Sequence, residues 1–311
     1  MTEFISVVIP TYRNWTGAYT LAEALGRQVL PAETELDVVI VDDGSGEIPP
    51  ETVKDLKYVQ LLQLEKNIGR AGARNAGSRA SKGQYLFFID CDCLPSDNKF
   101  LASHMHALRH NAVGSTGHVL GVGGGFWDKY QRLASLRRQK QHRQGHVWVG
   151  STQNLAVARS AFEQAGEFNA SYRHYGFEDR EFLIRLSSIG AIAWPLEASV
   201  LHNDAVHLTS IVEKMIQAAA LSARTFSSHH MKEYRTLGYA RIDARLHTWL
   251  YLPARLLAPF IKPAARMLDN TLPRLPFFLA YSLVKLITAG AFLYGSTLEQ
   301  TDNGDEQQAR P

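Results

Sequence analysis

The sequence contains few cysteines, and neither is placed for a structural disulfide. There are two among 311 residues, Cys91 and Cys93, and the single residue between them is an unfavourable spacing for a disulfide bond. An oxidising compartment is therefore not indicated. A zinc site is not indicated either, because a lone Cys-x-Cys lacks the further ligands that tetrahedral zinc needs. Both thiols are expected to be small packing groups.

A strong net charge and a long apolar run near the start of the chain are also missing. The net charge of +3 is too small to indicate a nucleic-acid-binding protein. The apolar run Ile5–Ile9 is shorter than the core of a signal peptide and leads directly into Pro10. We therefore expect the folded body of the protein to be cytoplasmic. The apolar share of 45% is typical of a globular protein with a substantial core.

Strand-like and helix-like segments alternate over the first 92 residues, and no internal repeat is visible. The apolar segments that predict strands are 5–10, 36–41, 58–64 and 85–92. Residues 16–30 carry apolar side chains at helical spacing, and 67–77 lead into a helix of small residues. This alternation predicts a doubly wound α/β layer.

The fourth predicted strand ends in two carboxylates, Asp90 and Asp92. Since side chains alternate along a strand, both can point to the same side. The strand is apolar on both faces, so we expect it to be buried and parallel, with ligands bound at its carboxyl end. Two carboxylates repel one another unless a cation lies between them, and hard divalent ions prefer oxygen ligands. The sequence therefore predicts a Mg²⁺ or Mn²⁺ site for a phosphorylated substrate, with an ordinary polar turn as the alternative.

Two more polar features follow after residue 170. Glu178 and Asp179 start a helical pattern, and the helix dipole readily explains one acidic residue there but not two adjacent ones. Residues 191–201 predict a single late strand, which His202 follows. A lone histidine is more often structural than a ligand, so its role stays open at this point.

Two segments in the middle of the chain look functional but match no complete motif. Residues 121–125 are rich in glycine, but Phe126 stands where a dinucleotide fingerprint has its last glycine, so a flexible connection is predicted. The run 137–146 is basic without interleaved aromatic residues, which predicts a solvated helix face.

Five motifs, in this order, strongly resemble those of the family 2 glycosyltransferases of the GT-A fold. They are Val8-Ile9-Pro10-Thr11-Tyr12, Val41-Asp42-Asp43-Gly44-Ser45, the segment Asn67 to Gly77 with Arg74 and Asn75, Phe88-Ile89-Asp90-Cys91-Asp92, and Glu178-Asp179-Arg180-Glu181-Phe182. The resemblance covers residues 4–204. It implies a GT-A, Rossmann-like, mostly parallel sheet flanked by helices, with a helical C-terminal extension.

The resemblance over residues 4–204, together with the change in composition after about residue 240, indicates a division of the chain. Residues 1–205 would form the catalytic domain, with a nucleotide-binding half at 1–95 and an acceptor half at 96–205. Residues 206–298 would be a helical region able to associate with a membrane, and 299–311 a disordered tail.

The activity implied is transfer of a sugar from a nucleotide diphosphate sugar, with a UDP-sugar favoured, to a hydroxyl of a glycan or lipid-linked acceptor. Such a reaction belongs to the synthesis of cell-surface polysaccharide or glycoconjugates. The residues matching donor-binding positions are Pro10, Thr11, Tyr12, Asp42, Asp43, Arg74, Asn75, Asp90 and Asn154. Asp43 would accept the N3–H of a uracil, Asp42 would shape the turn or the pocket, and Arg74 and Asn75 would approach the nucleotide or brace its loop.

Metal and catalytic roles are carried over in the same way. Asp92 would be a direct ligand of Mn²⁺ or Mg²⁺, with Asp90 beside the metal and His202 completing the coordination. Asp179 would be the general base and Glu178 would position hydroxyl groups, and a single base implies inversion at the anomeric carbon. Cys93 departs from the pattern, because many members have another acidic residue there. This departure makes His202 more important.

Three other functions fit parts of the sequence. A haloacid-dehalogenase-type phosphatase also has Asp-x-Asp at a strand end, but it expects the motif on the first strand and Thr or Val in place of Leu94. A nucleotidyltransferase shares the layered fold, but no glycine-rich basic loop follows Ile9. A non-enzymatic membrane-surface adaptor would leave residues 1–204 unexplained.

The last apolar stretch, 276–295, has the length of a membrane span and one charge, Lys285. A lysine near the centre of a span costs about 2.5–3.5 kcal/mol on insertion scales, so a helix lying in the headgroup region is favoured. The alternative is a helical cap on the catalytic core. Interleaved aromatic and basic residues across 241–295 favour peripheral docking on the cytoplasmic face of the membrane.

Overall fold

The computed structural model describes residues 2–299, which form two compact units. The first contains residues 2–173 and 178–205, and the second contains 174–177 and 206–299. The two halves expected within residues 1–205 stay a prediction. The tail expected to be disordered lies outside the described residues from 300 onwards.

The first unit is an α/β layer. Its strands are β1 (Glu3–Thr11), β2 (Thr34–Asp42), β3 (Val59–Gln63), β4 (Tyr85–Phe88), β5 (Cys93–Pro95), β6 (Ala112–Thr116), β7 (His118–Gly121), β8 (Leu155–Ala158), β9 (Ala191–Ala193) and β10 (Ser199–His202). Its helices are α1 (Trp15–Gly26), α2 (Glu51–Lys54), α3 (Gly69–Ala80), α4 (Phe100–Arg109), α5 (Phe126–Arg143), α6 (Arg159–Gln164) and α7 (Glu178–Ser187). The predicted alternation over the first 92 residues is confirmed.

The strands form two sheets. The larger has seven strands in the order β3-β2-β1-β4-β8-β6-β9, and the smaller has three in the order β5-β10-β7. The strands β3, β2, β1 and β4 are mutually parallel neighbours, whereas β8 is antiparallel to both β4 and β6. The predicted mostly parallel sheet is therefore confirmed. The expectation that β4 is a parallel strand holds for its pairing with β1 but not for its pairing with β8.

The single late strand predicted for residues 191–201 is wrong. The structure has β9 at the edge of the larger sheet and β10 in the centre of the smaller one, with a connection through Pro195 between them. A proline has no amide hydrogen for a ladder and restricts the residue before it, so one continuous strand is disfavoured there. Residues 122–125 form a loop, and α5 carries the basic run as far as Arg143, although Gln139 on this helix is buried.

Both faces of the larger sheet are covered by helices. Along β1, Val7 and Ile9 belong to one apolar cluster with α1 and α4, and Val8 belongs to the opposite cluster with α3 and α7. The alternation follows from the two-residue period of a strand. Small residues let α3 approach closely, since a Cβ on Gly77 would lie 2.4 Å from Cγ1 of Val8 and 2.8 Å from Cγ2 of Val41.

The second unit is helical, as the C-terminal extension was predicted to be. Its helices are α8 (Leu208–Gln217), α9 (Ala223–His229), α10 (Met231–Thr236), α11 (Tyr251–Thr271) and α12 (Phe277–Ser296), and a π-helical turn at Ala218–Ser222 joins the first two. The helix α12 packs against α8 and α11. A carboxylate on α11, that of Asp269, caps α8 by accepting hydrogen bonds from the amides of Leu208 and Thr209, at 2.6 and 3.0 Å.

A histidine of α4 is enclosed in the core of the first unit. The ring of His104 is completely buried, with Nδ1 2.8 Å from Oγ of Ser115 and Nε2 2.8 Å from Oδ1 of Asn154. Burial lowers its pKa to about 4, although the hydrogen bond to Asn154 opposes the shift. The folded protein therefore resists protonation of a group that titrates near 6.5 when unfolded.

We expect this histidine to make stability fall as the pH falls. Between about pH 7 and pH 4 the unfolded chain binds the proton and the folded chain does not, so the free energy of unfolding should decrease by about 3 kcal/mol from this residue. Urea unfolding across this range measures the effect. The variant His104→Gln should flatten the dependence, whereas His106→Gln, on the exposed side of α4, should leave it unchanged. If the free energy of unfolding depends on pH as steeply in His104→Gln as in the wild type, the prediction is wrong.

Candidate active site

The predicted polar residues of the first strands gather at one edge of the larger sheet. Strand β1 ends at Thr11 and β2 at Asp42, and these two residues are partners in the parallel register. The chain leaving β4 on the other side of β1 carries Asp90 and Asp92. Because parallel neighbours have their carboxyl ends at the same edge, these polar residues lie at the edge of the sheet where open α/β folds bind ligands.

Two carboxylates at the end of β2 organise the loops beside this edge. Asp42 accepts hydrogen bonds from the amide and the hydroxyl of Ser45, at 3.2 and 2.9 Å, so it shapes the turn, which is one of its two expected roles. Oδ1 of Asp43 accepts from the amide of Ile68 at 2.8 Å. Burial raises the pKa of Asp43, and the amides of Ile68 and Gly69 partly oppose this. The turn needs Gly44, whose φ is +70° and whose Cβ would lie 2.3 Å from the backbone of Lys66.

The three residues at the end of β1 differ in access. Pro10 and Thr11 are buried, and the Thr11 hydroxyl donates to the carbonyl of Asn14 at 3.1 Å. Tyr12 is 41% exposed, with the guanidinium of Arg13 over its ring at 5.3 Å. Of the three, Tyr12 is the one that offers an aromatic face to a ligand.

Asp92 lies beside His202, because it directly precedes β5 and His202 ends the neighbouring strand β10. Nε2 of His202, at the end of β10, lies 3.4 Å from Oδ2 of Asp92, and the amide of Asn203 donates to the Asp92 carbonyl at 2.8 Å. Burial opposes the charge on Asp92, but the hydrogen bond and charge of His202 outweigh it and lower its pKa. Burial likewise disfavours protonated His202, yet Asp92 raises the histidine pKa above its ordinary value. Each residue thus stabilises the charged form of the other.

A glutamine that sequence reasoning missed supports this pair. Nε2 of Gln131, on α5, lies 3.2 Å from Nδ1 of His202. A partner on one ring nitrogen fixes the ring and leaves the other nitrogen for Asp92 or a metal ion. Nothing in the sequence marks Gln131, because it lies in a polar helix and 71 residues away from its partner.

The pair of Asp92 and His202 fits a divalent ion that a substrate helps to bind. Within residues 2–299, no group of three or more His, Cys, Asp or Glu side chains is arranged to hold a metal ion. Mg²⁺ sites commonly use one or two protein ligands and complete their coordination with substrate phosphates and water. Oδ1 of Asp90 is engaged by Arg74, and the metal role expected for Asp90 stays a prediction.

Asp90 instead forms an ion pair with a buried arginine. Nη2 of Arg74, on α3, donates to Oδ1 of Asp90 at 2.7 Å, and Nη1 lies 3.6 Å from Oε1 of Glu178. The arginine is 1% exposed. Burial and the charge of Asp179 raise the pKa of Glu178, although Arg74 opposes the shift. One guanidinium therefore links the end of β4 to the start of α7.

Asp179 follows in the first turn of α7 and is half-buried. Its Oδ1 accepts from the amide of Arg180 at 2.8 Å. The neighbouring Glu178 is buried, and its Oε2 has no hydrogen-bond partner. The two adjacent acids therefore differ in access, and Asp179 is the one that is open to a substrate hydroxyl.

Two asparagines expected near the donor hold the protein backbone instead. Asn75 donates to the carbonyl of Phe168 at 2.7 Å and accepts from its amide at 3.0 Å, so of its expected roles it serves the bracing one. Asn154 is completely buried, donates to the carbonyls of His118 and Ala198, both at 2.9 Å, and pairs with His104. Its amide is fully engaged inside the core, and the position near the donor sugar expected for it stays a prediction.

The two cysteines are free thiols, one half-buried and one buried. Burial, together with the charges of Asp92 and Asp90, raises the pKa of Cys91 to about 12. The pKa of Cys93 is raised for the same reasons. Protonated thiols of this kind are poor nucleophiles and metal ligands, in accord with the packing role expected for them.

The sequence of the first unit matches a known family. Residues 6–166 match the family described as glycosyl transferase family 2. The chain belongs to this family. The matched segment contains the first four of the five motifs and Asn154. The resemblance inferred from the motifs is confirmed.

One curated relative is the glycosyltransferase GlyG of Streptococcus pneumoniae, 34% identical over 102 residues, which are 32% of this chain and 33% of that protein. The chain spans between 14% and 61% of the lengths of the first four curated relatives it matches. The family is thus shared over part of each of these proteins.

Solved structures show the same fold. The mannosyltransferase PcManGT of Pyrobaculum calidifontis, in complex with GDP-Man and Mn²⁺, has a TM-score of 0.61 at 18% identity, covering 95% of this chain and 86% of that one. Residues 1–349 of S. aureus TarS, in complex with UDP, have a TM-score of 0.52 at 16% identity, covering 95% and 90%. The GT-A expectation is confirmed, and the phosphatase, nucleotidyltransferase and adaptor interpretations are left without support.

The buried position of Arg74 predicts a large effect of its removal. In Arg74→Met, Asp90 and Glu178 lose the positive charge between them, and breaking a buried ion pair typically costs 3–5 kcal/mol, so we expect a loss of about that size. Arg79→Met, on the same helix, removes a guanidinium that is 61% exposed and pairs with Glu167, and should cost less than about 1 kcal/mol. Urea unfolding of both variants measures the difference. Equal losses of unfolding free energy in Arg74→Met and Arg79→Met would show that the buried charge of Arg74 is not essential for stability.

Proposed function

We propose that this chain is a metal-dependent, inverting glycosyltransferase that moves a sugar from a UDP-sugar to a hydroxyl of a glycan or lipid-linked acceptor. The observation that carries the proposal is one connected set of charges. The pair of Asp92 and His202 adjoins Asp90, which Arg74 links to Glu178 and so to the neighbouring Asp179. Asp92 and His202, which could hold a metal ion for the diphosphate, thus lie at the edge of the sheets. Asp179, which could accept a proton, lies at the start of α7, and Arg74 links the two.

Two features support a nucleotide donor at this edge. Tyr12 offers an exposed ring for contact with the face of a base, and Asp43 beside it is a carboxylate that could accept the N3–H of uracil. The PcManGT structure contains GDP-Man and Mn²⁺, and the TarS structure contains UDP. These neighbours support a nucleotide diphosphate sugar, and the carboxylate of Asp43, as a possible acceptor for the uracil N3–H, is the reason for proposing UDP.

Asp92 and His202 would hold Mn²⁺ or Mg²⁺ through one oxygen and one nitrogen. When bound, such an ion neutralises charge on the leaving diphosphate as a Lewis acid. Gln131 keeps the His202 ring oriented for this purpose. Arg74 satisfies Asp90 without the ion, which keeps the neighbouring backbone in place whether or not a donor is bound.

The acceptor side requires a base. As the acceptor oxygen forms its bond with the anomeric carbon, the bond from that carbon to the diphosphate oxygen breaks, and the electron pair leaves with the diphosphate. The hydroxyl proton passes to Asp179. Glu178 is less suited to this role because it is buried and its pKa is raised. It would instead hold a hydroxyl of donor or acceptor, and direct displacement inverts the anomeric centre.

Peripheral association with the cytoplasmic face of a membrane forms part of the proposal. The helix α12 is the one helix among residues 2–299 long and apolar enough to cross a bilayer. Lys285 lies near its middle, and none of residues 287–297 has an exposed side chain. These features support packing within the second unit in preference to a lipid-embedded span.

The metal site is tested at Asp92. Asp92→Asn removes the charged ligand, and we expect at least a ~100-fold loss of UDP release with Mn²⁺, since removal of even an indirect metal partner typically costs 10–100-fold. The melting temperature should change little, because the side chain is at the sheet edge. Asp97→Asn, an exposed acid on the chain after β5, serves as the control. If the activity of the wild type in EDTA equals that in Mn²⁺, the metal assignment is wrong.

The base is tested at Asp179. Asp179→Asn keeps the shape but cannot accept the proton, so turnover should fall at least ~100-fold, the usual scale of general-base catalysis. The affinity for UDP, measured by calorimetry, should stay within a factor of about two. The exposed acid Glu197→Gln is the matched control and should keep wild-type turnover. An Asp179→Asn enzyme that retains most of its turnover would move the role to Glu178.

A further inference from the structure

The helix α11 and the turn before it present a continuous apolar stripe to solvent. The stripe consists of Trp249, Leu252, Leu256, Phe260 and Met267, each between 64% and 74% exposed. Steps of three or four residues, or seven across Pro263, keep these side chains on one side of a helix. Five large, exposed apolar side chains in one row are more than the scattered surface residues of an ordinary soluble protein.

The stripe is not the face that packs the second unit together. Ala254, Ile261, Ala265 and Leu268 are buried and lie on the opposite side of α11. The helix is therefore apolar on two sides, and its packing within the second unit uses one of them. The exposed stripe requires a partner of another kind.

Basic residues line one flank of the stripe. Arg255, Lys262 and Arg266 follow one another at steps of seven and four residues and are all exposed. Nζ of Lys262 lies 3.1 Å from Oε1 of Glu213 in an exposed pair, and Arg255 lies over the ring of Tyr251 at 6.0 Å. Pro259 and Pro263 remove the intrahelical bonds to the carbonyls of Arg255 and Pro259, which leaves polar backbone on this flank for water or headgroups.

The charge of this region favours an anionic partner. Residues 206–299 contain eleven Lys or Arg and five Asp or Glu, a net charge of +6, whereas residues 1–205 contain 21 basic and 22 acidic residues. A second copy of the chain would bring the same positive region to the stripe, and like charges across an interface are unfavourable. An apolar row with a basic flank is the pattern of a helix that lies in the interface of an anionic bilayer.

We propose that α11 lies in the headgroup region of an anionic lipid bilayer, with its apolar stripe facing the hydrocarbon, and is the main membrane contact of this chain. The inference deepens the proposed function and rests on it for its purpose, which is to hold the enzyme where a lipid-linked acceptor is found. It places the contact on α11 and not on the more apolar α12, whose second half is covered by the rest of the second unit.

Flotation of the full chain with vesicles tests the inference. We expect the wild type to float with vesicles of phosphatidylglycerol and phosphatidylcholine and to float much less with phosphatidylcholine alone. The double variant Leu256→Glu and Phe260→Glu should reduce binding to the mixed vesicles at least ~10-fold, because two charges would enter the apolar boundary. The double variant Arg255→Gln and Arg266→Gln should remove the preference for the anionic lipid.

A matched control comes from α5, which also carries exposed leucines beside basic residues. Leu133→Glu with Leu136→Glu should leave flotation unchanged. Loss of flotation in this control but not in the α11 variant overturns the inference. A wild type that stays at the bottom of the gradient also overturns it. Light scattering gives a further test: if the wild type is a dimer and the α11 variant is a monomer, a second copy of the chain occupies the stripe and the inference is wrong.

Release of UDP from UDP-sugars in solution separates this inference from the proposed function. All surface variants should release UDP at the wild-type rate without vesicles, and unchanged melting temperatures establish that they are folded. If the wild type floats and α11 is required, but no sugar donor is consumed, the proposed function fails while the docking inference stands. If donors are consumed but flotation does not depend on α11, the docking inference alone fails.

Discussion

The ion pairs of Arg74 are the constraint on which the rest of the candidate site depends. A guanidinium that is almost completely removed from water is tolerated only because Asp90 meets it at 2.7 Å and Glu178 lies within 3.6 Å. This arrangement fixes the chain leaving β4, so that Asp92 is directed to His202. It also fixes the start of α7, so that the less buried Asp179 stands free of the core. Two carboxylates that would repel one another without the guanidinium are thereby kept at defined positions.

The remaining parts of the site follow from the direction of the strands. Since β1, β2 and β4 are parallel neighbours, Thr11, Asp42 and Asp90 come to the same edge without any further device. The smaller sheet contributes the histidine of the pair of Asp92 and His202, because β10 runs antiparallel to β5 and brings His202 opposite Cys93, next to Asp92. The site is thus a product of sheet register, which hydrogen bonds from the Ser45 hydroxyl and the Ile68 amide then hold in place.

The sequence was sufficient for the residues whose role depends on local pattern. A strand ending in Asp90 and Asp92 and a helix starting with Glu178 and Asp179 were both predicted, as was the parallel layer that joins them. Roles that depend on distant partners could not be predicted. Asn154 matches a motif position, but its amide is engaged by His104, His118 and Ala198 inside the core. Gln131 matches no motif, but it reaches the ring of His202 through the fold. In both cases the deciding partner lies more than 35 residues away along the chain.

The helix α11 shows the same limit from the other side. Its prolines at 253, 259 and 263 interrupt the helical pattern in the sequence, so the residues across 241–295 predict docking on a membrane but do not predict one continuous helix at 251–271. In the structure all three prolines lie on exposed positions, and Pro259 and Pro263 lack the amides that would bond to the carbonyls of Arg255 and Pro259. A helix that keeps apolar side chains and unsatisfied carbonyls on adjacent sides suits neither a protein core nor the middle of a bilayer. The boundary between lipid and water satisfies both, since it offers hydrocarbon to one side and hydrogen-bond donors to the other.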